Sequence, residues 1–332
     1  MSKSPFLPLV IGLSFLFCIN VLMVSSVAPN SVLKQIVAWI IGLVLFFIGR
    51  LINPKQIISS KLIIFIVCCL FLLTPIFLNN ITRGSRRWID LGFTSVQPSE
   101  FVKPWLLLFL VNTTMPLLHI IPVGIIMLQP DLGSALSVLV LITPLIVYNK
   151  KLFKLSLIVG LIGLSLSPFI YKYGLHEYQK ERIVNFLNPL SDPLNKGYNV
   201  IQSKIAIGSG GLWGKGYKKG TQGQLLFLPE KHTDFIFATT AEELGTVGVV
   251  IVLLSYYLII ATLFKKAFLV TNDRALFLFT LGIAIQIWMQ SFINIGMNLG
   301  ILPVTGIPLP FLSVGGSSII TLLFSLGIIY SS

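Results

Sequence analysis

Long apolar stretches recur along the chain, and short polar segments separate them. Several stretches reach the roughly 17 to 25 residues that cross a hydrocarbon layer about 30 Å thick. The apolar windows cover residues 5–27, 32–49, 62–79, 98–112, 118–128, 132–148, 155–171, 235–264, 275–297 and 313–330, and the fourth and fifth are short. This pattern predicts an all-α polytopic membrane protein with about ten transmembrane helices and a large external loop between the seventh and eighth.

The composition agrees with one membrane domain. Of the 332 residues, 55% are hydrophobic and only 11% are charged. A helical bundle surrounded by lipid is the simplest arrangement for such a chain, so residues 1–332 are expected to form a single domain that includes an external loop of about 172–234. The first window is longer than the roughly 7 to 15 apolar residues of a signal peptide, which predicts an uncleaved anchor.

Basic residues indicate which loops face the cytoplasm. Lysine and arginine concentrate in cytoplasmic loops of membrane proteins. If the chain crosses the membrane once at each apolar window, one side of the membrane receives the segments that contain Arg50, Lys55, Lys61, Lys150, Lys151, Lys154, Lys265, Lys266 and Arg274. Both termini are then expected to be cytoplasmic.

The opposite face also carries basic residues, within a net charge of +13 for the chain. Long loops translocate regardless of charge, which explains the basic residues of segment 172–234 without any function. The short loop that contains Arg83, Arg86 and Arg87 is not explained in this way. Arginine at an external mouth suits an anionic ligand, phosphate above all, because its guanidinium binds phosphate in a bidentate manner.

Two features stand out within segment 172–234. The stretch "KGYNVIQSKIAIGSGG" mixes apolar and polar positions and predicts a short interfacial helix. It runs into "GSGGLWGKGYKKGTQGQ", residues 208–224, which we call the glycine-rich loop. Its seven glycines and interleaved lysines offer no apolar run to pack, so we expect it to be mobile. It is not a Walker A motif, because no Ser or Thr follows Lys215.

A few ionisable residues interrupt the apolar windows, where each costs about 2.5 to 3.5 kcal/mol on insertion. Glu100 and Lys103 are three apart and share a helical face, with Gln97 or Ser99 available to cap the helix start. They form either a self-neutralising ion pair or part of a site. Asp131 follows a proline, and either stabilises the first turn of the next helix or contacts substrate or Lys103.

The stretch "LPEKHTDFIFATTAEELG", residues 228–245, crowds charges against an apolar run. Asp234 is expected to begin a helix with a stripe of small residues that lets a neighbouring helix approach closely. The stripe consists of Ala238, Ala241, Gly245 and Gly248. Glu242 and Glu243 cannot share one helical face, so at least one must point to a cavity or a polar partner. Structural and functional roles remain open for both.

The stretch "NLGILPVTGIPLPFLSVGGSS" breaks the helical pattern with prolines and glycines. Irregular backbone at membrane depth survives only where it is buried in protein or lines a cavity. We therefore expect this stretch to form one wall of a site.

Five motifs together resemble the signatures of a known family. In chain order they are "RRWIDLGFTSVQPSEFVK", "LQPDLGS", "GYNVIQSKIAIGSGGLWGKG", "FLPEKHTDFIFATTAEELG" and "NIGMNLGILPVTGIPLPFLSVGGSS". They resemble the SEDS (shape, elongation, division) membrane proteins over most of the chain from Arg83 onward. The resemblance implies a peptidoglycan glycosyltransferase that polymerises lipid II outside the bacterial cytoplasmic membrane during elongation. It also implies a class B penicillin-binding protein as transpeptidase partner.

The same resemblance assigns residues. Asp234 corresponds to the catalytic carboxylate, and Glu100, Lys103 and Asp131 match further family positions. The remaining candidates for substrate binding are Arg86, Arg87, Trp88, Gln97, Arg182, Gln202, Lys204, Lys215, Glu230, His232 and Ser313. The connection "VNTTMPLLHII" lacks the basic residues that are usual in the family, which predicts a shortened or reoriented fourth and fifth span.

If the family chemistry holds, a sugar 4-hydroxyl attacks an anomeric carbon and expels undecaprenyl pyrophosphate with inversion. Asp234 is then the base, and cations stabilise the leaving group: Lys103, the arginine loop, Arg182 and a divalent cation such as Mg or Mn. No organic cofactor is expected. The alternatives are a flippase for the lipid-linked precursor and a noncatalytic scaffold of the cell-wall complex. Two points weigh against them. The ionisable residues gather mostly at one face and not at the midplane expected of a transporter, and a scaffold leaves Glu100, Lys103, Asp131 and Asp234 unexplained as a set.

Overall fold

The structure is a computed structural model that describes residues 6–52, 61–78, 87–90, 92, 95–174, 180, 184, 186, 197–225 and 227–331. Within these ranges the regular structure is almost entirely helical. One short antiparallel pair of strands, β1 (Ile89–Asp90) and β2 (Ser95–Val96), precedes the fourth long helix.

The described α-helices, in chain order, are α1 (Phe6–Val27), α2 (Val32–Gly49), α3 (Lys61–Leu78), α4 (Pro98–Asn112), α5 (Ile120–Met127), α6 (Leu132–Leu139), α7 (Thr143–Tyr148), α8 (Lys150–Phe169), α9 (Tyr198–Ser209), α10 (Thr221–Gln224), α11 (Ile236–Leu269), α12 (Arg274–Asn298) and α13 (Gly316–Ile329). Short 3₁₀ turns lie at Pro29–Ser31, Pro116–His119 and Val140–Ile142, and a π-helical turn follows α8 at Ile170–Gly174.

All ten predicted spans correspond to apolar helical segments. Six of them, α1, α2, α3, α8, α11 and α12, are long and apolar enough to cross a membrane. The others are shorter: α4 with 15 residues, Pro116–Met127, Leu132–Tyr148 and α13. The prediction of an all-α polytopic membrane protein is confirmed, and so is the shortness of the fourth and fifth spans.

Small residues bring the helices close together. A Cβ placed on Gly12 of α1 would lie 2.8 Å from the Ser255 carbonyl oxygen of α11, and one on Gly49 of α2 would lie 2.6 Å from the Phe324 carbonyl oxygen of α13. Such contacts let backbones approach where lipid offers no hydrophobic force between helices. By contrast, none of the described residues of α8 is buried.

Helix α11 is broken at Gly245, whose φ of 65° and ψ of −163° are not helical. In an unbroken helix, the two N–H groups that follow Gly245 would donate to the carbonyls of Glu242 and Glu243. Residues 211–216 of the glycine-rich loop enter the break and supply other partners. The bonds are Thr246 N to Gly211 O (2.9 Å), Val247 N to Leu212 O (3.2 Å), Lys215 N to Glu242 O (2.9 Å) and Gly216 N to Glu243 O (3.0 Å).

The side chains of Glu242 and Glu243 hold the same loop, and both are buried. Glu242 accepts hydrogen bonds from Lys215 Nζ (2.7 Å), Thr221 Oγ1 (3.0 Å), Gln222 N (3.0 Å) and Gly223 N (3.3 Å). Glu243 accepts from Ser26 Oγ at the end of α1 (2.7 Å), Lys218 N (3.1 Å) and Gln224 Nε2 (3.1 Å). Both glutamates therefore have the structural role that the sequence left open.

These contacts correct two expectations. The glycine-rich loop was expected to be mobile, but its glycines serve close packing, since a Cβ on Gly210 or Gly214 would overlap the backbone of α11. The small stripe on α11 was expected to receive a helix along its length. Helix α9, which the sequence predicts, packs at the start of the stripe, where Ala206 and Ala238 belong to one buried apolar cluster. Further along, at Ala241 and Gly245, the loop takes the place of a helix.

We expect Gly245→Ala to release the loop from α11. The backbone at Gly245 is a conformation available essentially to glycine alone, which costs about 1 to 3 kcal/mol for other residues. An added Cβ would also overlap the Gly214 amide and lie 2.5 Å from the Leu212 carbonyl oxygen. Thermal unfolding of the purified protein should occur at a lower temperature, and trypsin should cleave after Lys218 or Lys219 more rapidly.

Gly160→Ala on α8 is the matched control, because a Cβ there meets nothing within 4 Å. It should melt like the unsubstituted protein. Equal melting temperatures and equal trypsin resistance for both variants would show that the loop does not depend on the break at Gly245.

Candidate active site around Asp234

Asp234 lies in a tight turn of residues 229–235, which we call the Asp234 turn. The sequence predicts that Asp234 begins a helix, but α11 begins at Ile236. The Glu230 carbonyl accepts from Thr233 N (3.1 Å) and Phe235 N (3.2 Å), and Glu230 has a φ of 53°, which is unusual for a residue with a side chain. The turn presents a half-buried Asp234 immediately before the buried part of α11.

Residues 299–315, which we call the wall segment, pack against this turn. The segment is irregular, as predicted, and largely buried in its second half. Val314 N donates to the His232 carbonyl (2.9 Å), and Ser313 Oγ donates to the Thr233 carbonyl (2.6 Å). Ser313 Oγ also accepts from Leu309 N (2.8 Å). Two predicted site residues, His232 and Ser313, thus support the Asp234 turn, His232 through its main chain.

The backbone of Asp234 is held by two amides from α12 that the sequence analysis did not select. Asn294 Nδ2 and Asn298 Nδ2 both donate to the Asp234 carbonyl, at 3.1 Å and 2.9 Å. Asn294 Nδ2 also donates to the Ile307 carbonyl of the wall segment (2.8 Å). The available signal was a pair of asparagines four residues apart within an apolar helix, inside the motif "NIGMNLG".

Two neighbouring residues of the wall segment, Thr305 and Gly306, contact different parts of the candidate site. A Cβ placed on Gly306, where φ is 73°, would lie 3.7 Å from Asp234 Oδ2. A Cβ on Gly133 of α6 would lie 2.7 Å from the Thr305 carbonyl oxygen. The start of α6 and the Asp234 turn therefore lie against the same stretch of backbone.

Asp131 is the N-cap of α6, where Ser134 N donates to its Oδ1 (3.1 Å) and Ser134 Oγ to its Oδ2 (2.7 Å). This stabilisation of the helix start is one of the two roles that the sequence left open for Asp131. Gln97 Nε2 also donates to Oδ2 (3.3 Å), and an Arg87 guanidinium nitrogen lies 3.2 Å from Oδ1. Gln97 thus reaches Asp131 instead of capping α4, where no side-chain cap forms.

Glu100 and Lys103 form the ion pair that their spacing predicts, through Lys103 Nζ and Glu100 Oε1. Both side chains are almost completely buried. Glu100 Oε2 and Ser99 Oγ have no hydrogen-bond partner within the described residues. An unused acceptor in a buried ion pair is a position at which a polar group of a substrate can form a hydrogen bond.

Other candidates lie away from Asp234 or have partners of their own. Lys215 is committed to Glu242 and to Thr221 Oγ1 (2.8 Å), and exposed Lys204 lies against Gly300. Trp88 and Gln202 are half-buried. The candidates Arg86 and Arg182, and with them Arg83, lie outside the described residues.

Lys231, three residues before Asp234, contacts the glycine-rich loop. Its Nζ donates to the Gly223 carbonyl (2.6 Å) and so ties the Asp234 turn to the glycine-rich loop. Partial burial lowers the pKa of Lys231 from its ordinary value, and the Glu243 carboxylate opposes that shift. The ammonium thus serves to join two loops.

The described residues do not offer a preformed metal cage. Among them, no group of three or more His, Cys, Asp or Glu side chains is placed to hold an ion. Asp131 and Glu100, which line the region, are each already paired with a cation, Arg87 and Lys103.

Comparison with known proteins agrees with this architecture. The FtsW/RodA/SpoVE family of cell cycle proteins matches residues 4–332. The peptidoglycan glycosyltransferase MrdB of Escherichia coli (strain K12) is 40% identical over 312 residues, which cover 87% of this chain and 82% of the relative. MrdB of Helicobacter pylori (strain ATCC 700392 / 26695) is 37% identical over 343 residues, covering 96% of this chain and 88% of the relative.

Solved structures match over nearly the whole chain. One belongs to a study of how a peptidoglycan synthase complex coordinates polymerization and crosslinking, with a TM-score of 0.81, 34% identity and coverage of 97% of this chain and 95% of that one. Another is the rod shape determining protein RodA of Thermus thermophilus, with a TM-score of 0.69, 29% identity and coverage of 97% and 94%. Together with the matching motifs, these similarities show that the chain belongs to the FtsW/RodA/SpoVE family.

Proposed function

We propose that this protein is a peptidoglycan glycosyltransferase that polymerises lipid II at the external face of the bacterial cytoplasmic membrane during elongation. The names of its relatives support the reaction class. The observation that carries the proposal is the placement of Asp234. A half-buried carboxylate on a backbone held by α12 lies beside Gly306 of the wall segment, and the neighbouring Thr305 lies against the start of α6, where Asp131 pairs with Arg87.

In the proposed reaction the 4-hydroxyl oxygen of one sugar bonds to the anomeric carbon of another. The bond from that carbon to the pyrophosphate oxygen breaks, and its electron pair leaves with the pyrophosphate, so configuration inverts. Asp234 takes the hydroxyl proton as general base. A pyrophosphate leaving group needs no protonating acid when cations stabilise its charge, unlike the leaving alcohol in glycoside hydrolysis.

Arg87 and Lys103 are the described cations best placed for that charge. Arg87 is one-quarter exposed, and its Nε is buried without a partner in the described part of the chain. It therefore keeps a donor for phosphate while paired with Asp131. Lys103 is deeper and would act only on a group that enters beside Glu100.

A divalent cation, Mg or Mn, stays a prediction. The paired carboxylates do not fit a cage built by the protein, although magnesium often takes one or two carboxylates plus substrate phosphates. The reaction above passes no step through a metal. The proposed partner is a class B penicillin-binding protein, which would crosslink the glycan, and the similar synthase complex supports this pairing.

Asp234→Asn tests the base directly. The substitution keeps shape and leaves the main-chain bonds to α12, but the amide cannot accept the proton. Polymerisation of labelled lipid II by purified protein should fall by at least about 10²-fold, with membrane expression and transpeptidase association retained. Asp273→Asn, an equivalent change at the N-cap of α12, should stay fully active because asparagine also caps helices.

A flippase or a scaffold would tolerate Asp234→Asn far better than a polymerase. Near-normal glycan synthesis by this variant would assign the base elsewhere, with Glu100 and Asp131 as the next residues to test.

Lys103→Met tests whether Glu100 and Lys103 have a role in the reaction besides neutralising each other's charge. Removing one partner strands a buried charge, which typically costs about 3 to 5 kcal/mol. The double variant Glu100→Gln/Lys103→Met removes that cost and should fold, yet we expect it to produce no glycan in the same assay. Lys61→Met, which removes a lysine bonded to the Asn112 carbonyl (3.1 Å), is the control and should remain active. Normal synthesis by the double variant would leave the pair a purely structural role.

Topology is tested by single cysteines in a variant that lacks Cys18, Cys68 and Cys69. Lys219, exposed on the glycine-rich loop, is replaced by Cys for the external face, and exposed Thr271, between α11 and α12, for the cytoplasmic face. A membrane-impermeant maleimide should label Lys219→Cys on intact spheroplasts, and Thr271→Cys only after permeabilisation. The reverse pattern would refute the proposed orientation.

A further inference from the structure

Helix α12 carries a regular polar stripe through the bundle. Its members recur every four residues, so they lie on one face, and all are buried. They are Gln286, Gln290, Asn294 and Asn298. Polar amides buried in a membrane-spanning helix are expensive and signal a function.

The two halves of the stripe differ in their partners. In the half of the stripe nearer the start of α12, which we call the lower half, Gln286 Oε1 and both amide atoms of Gln290 have no hydrogen-bond partner among the described residues. Together with Ser137 of α6, these glutamines line a cavity of about 10 Å³, the size of one water molecule. Ile307 of the wall segment also lines this cavity, but Gln290 makes no hydrogen bond to any described residue of the Asp234 turn.

In the upper half, the amide nitrogens are fully used. Asn294 Nδ2 donates to the carbonyls of Asp234 and Ile307. Asn298 Nδ2 donates to the Asp234 carbonyl and to Asn294 Oδ1 (3.2 Å). Asn298 Oδ1 accepts from Ala238 N (3.1 Å) in the first turn of α11. Two side chains thus connect the Asp234 turn, the wall segment and the start of α11.

We propose that Asn294 and Asn298 are positioning residues for Asp234, an inference that rests on the proposed function. The Asp234 turn precedes the regular hydrogen bonding of α11, so its main chain depends on side-chain donors for a fixed place. Asn294 fixes the Ile307 carbonyl with the same nitrogen, and Ile307 follows Gly306, the residue that faces the carboxylate. The pair therefore sets the carboxylate and the adjacent wall relative to each other.

Both asparagines donate to main-chain oxygens, and neither contacts the Asp234 carboxylate through any described hydrogen bond. Their loss should misplace the base without removing it. A displacement of about 1 Å costs on the order of 10²-fold in rate when catalysis depends on orientation. Substrate binding, which draws on the cations at Arg87 and Lys103, should change little.

The test compares Asn294→Leu with Gln290→Leu in purified protein assayed with labelled lipid II. Both changes replace a buried carboxamide on the same face of α12, one turn apart. We expect kcat of Asn294→Leu to fall about 10²-fold with KM within about threefold of the unsubstituted protein. Gln290→Leu should keep its kcat, because it removes an amide without partners. Equal kcat values for the two variants would overturn the inference.

A double-variant cycle separates positioning from general loss of structure. If Asn294 acts through the base, Asn294→Leu should cause no further loss in a protein that already carries Asp234→Asn. An additional tenfold loss in the double variant would mean that Asn294 acts independently of Asp234, contrary to the proposal. If Asn294→Leu does not fold, Asn294→Ala, which leaves room for water beside the two carbonyls, takes its place with an expected loss of about tenfold.

The same assay keeps the two proposals apart. Absence of glycan synthesis by the unsubstituted protein together with its transpeptidase would refute the proposed function. Synthesis by the unsubstituted protein, loss in Asp234→Asn and full activity in Asn294→Leu would refute the positioning role alone.

Discussion

The break in α11 at Gly245 is the constraint on which the glycine-rich loop and the Asp234 turn depend. Opening a helix frees N–H and C=O groups that lipid cannot satisfy, so the protein must supply partners for them. Residues 211–216 supply them, and the carboxylates of Glu242 and Glu243 bind the rest of the same loop. The glycine-rich loop is thereby anchored to α11, and Lys231 connects the Asp234 turn to that loop.

The candidate site is built mainly by main-chain contacts. Carbonyls of three consecutive residues, His232, Thr233 and Asp234, are bound by the wall segment and by α12. This arrangement suits a site made of irregular backbone, because each hydrogen bond to a carbonyl reduces the conformational freedom of the loop. The carboxylate of Asp234 is therefore attached to a backbone whose carbonyls at residues 232, 233 and 234 are all hydrogen-bonded.

The carboxylates of the candidate site differ in burial. Glu100, paired with Lys103, and Asp131, paired with Arg87, are buried. Asp234 is half-buried. Buried pairs keep ionisable groups charged at moderate cost, whereas partial exposure lets a carboxylate exchange a proton with a substrate hydroxyl. This division agrees with the proposed roles, in which cations receive the leaving group and Asp234 receives the proton.

The sequence by itself determined the features that are local. The apolar pattern determined ten helical segments, six of them long enough to cross a membrane. The three-residue spacing of Glu100 and Lys103 determined their pairing, and prolines and glycines determined the irregular wall segment. Only the tertiary structure decided that the glycine-rich loop is ordered and that Asn294 holds Asp234. Those contacts join residues tens of positions apart. Periodicity and composition describe what a segment prefers alone, whereas a hydrogen bond between distant segments exists only once packing brings donor and acceptor together.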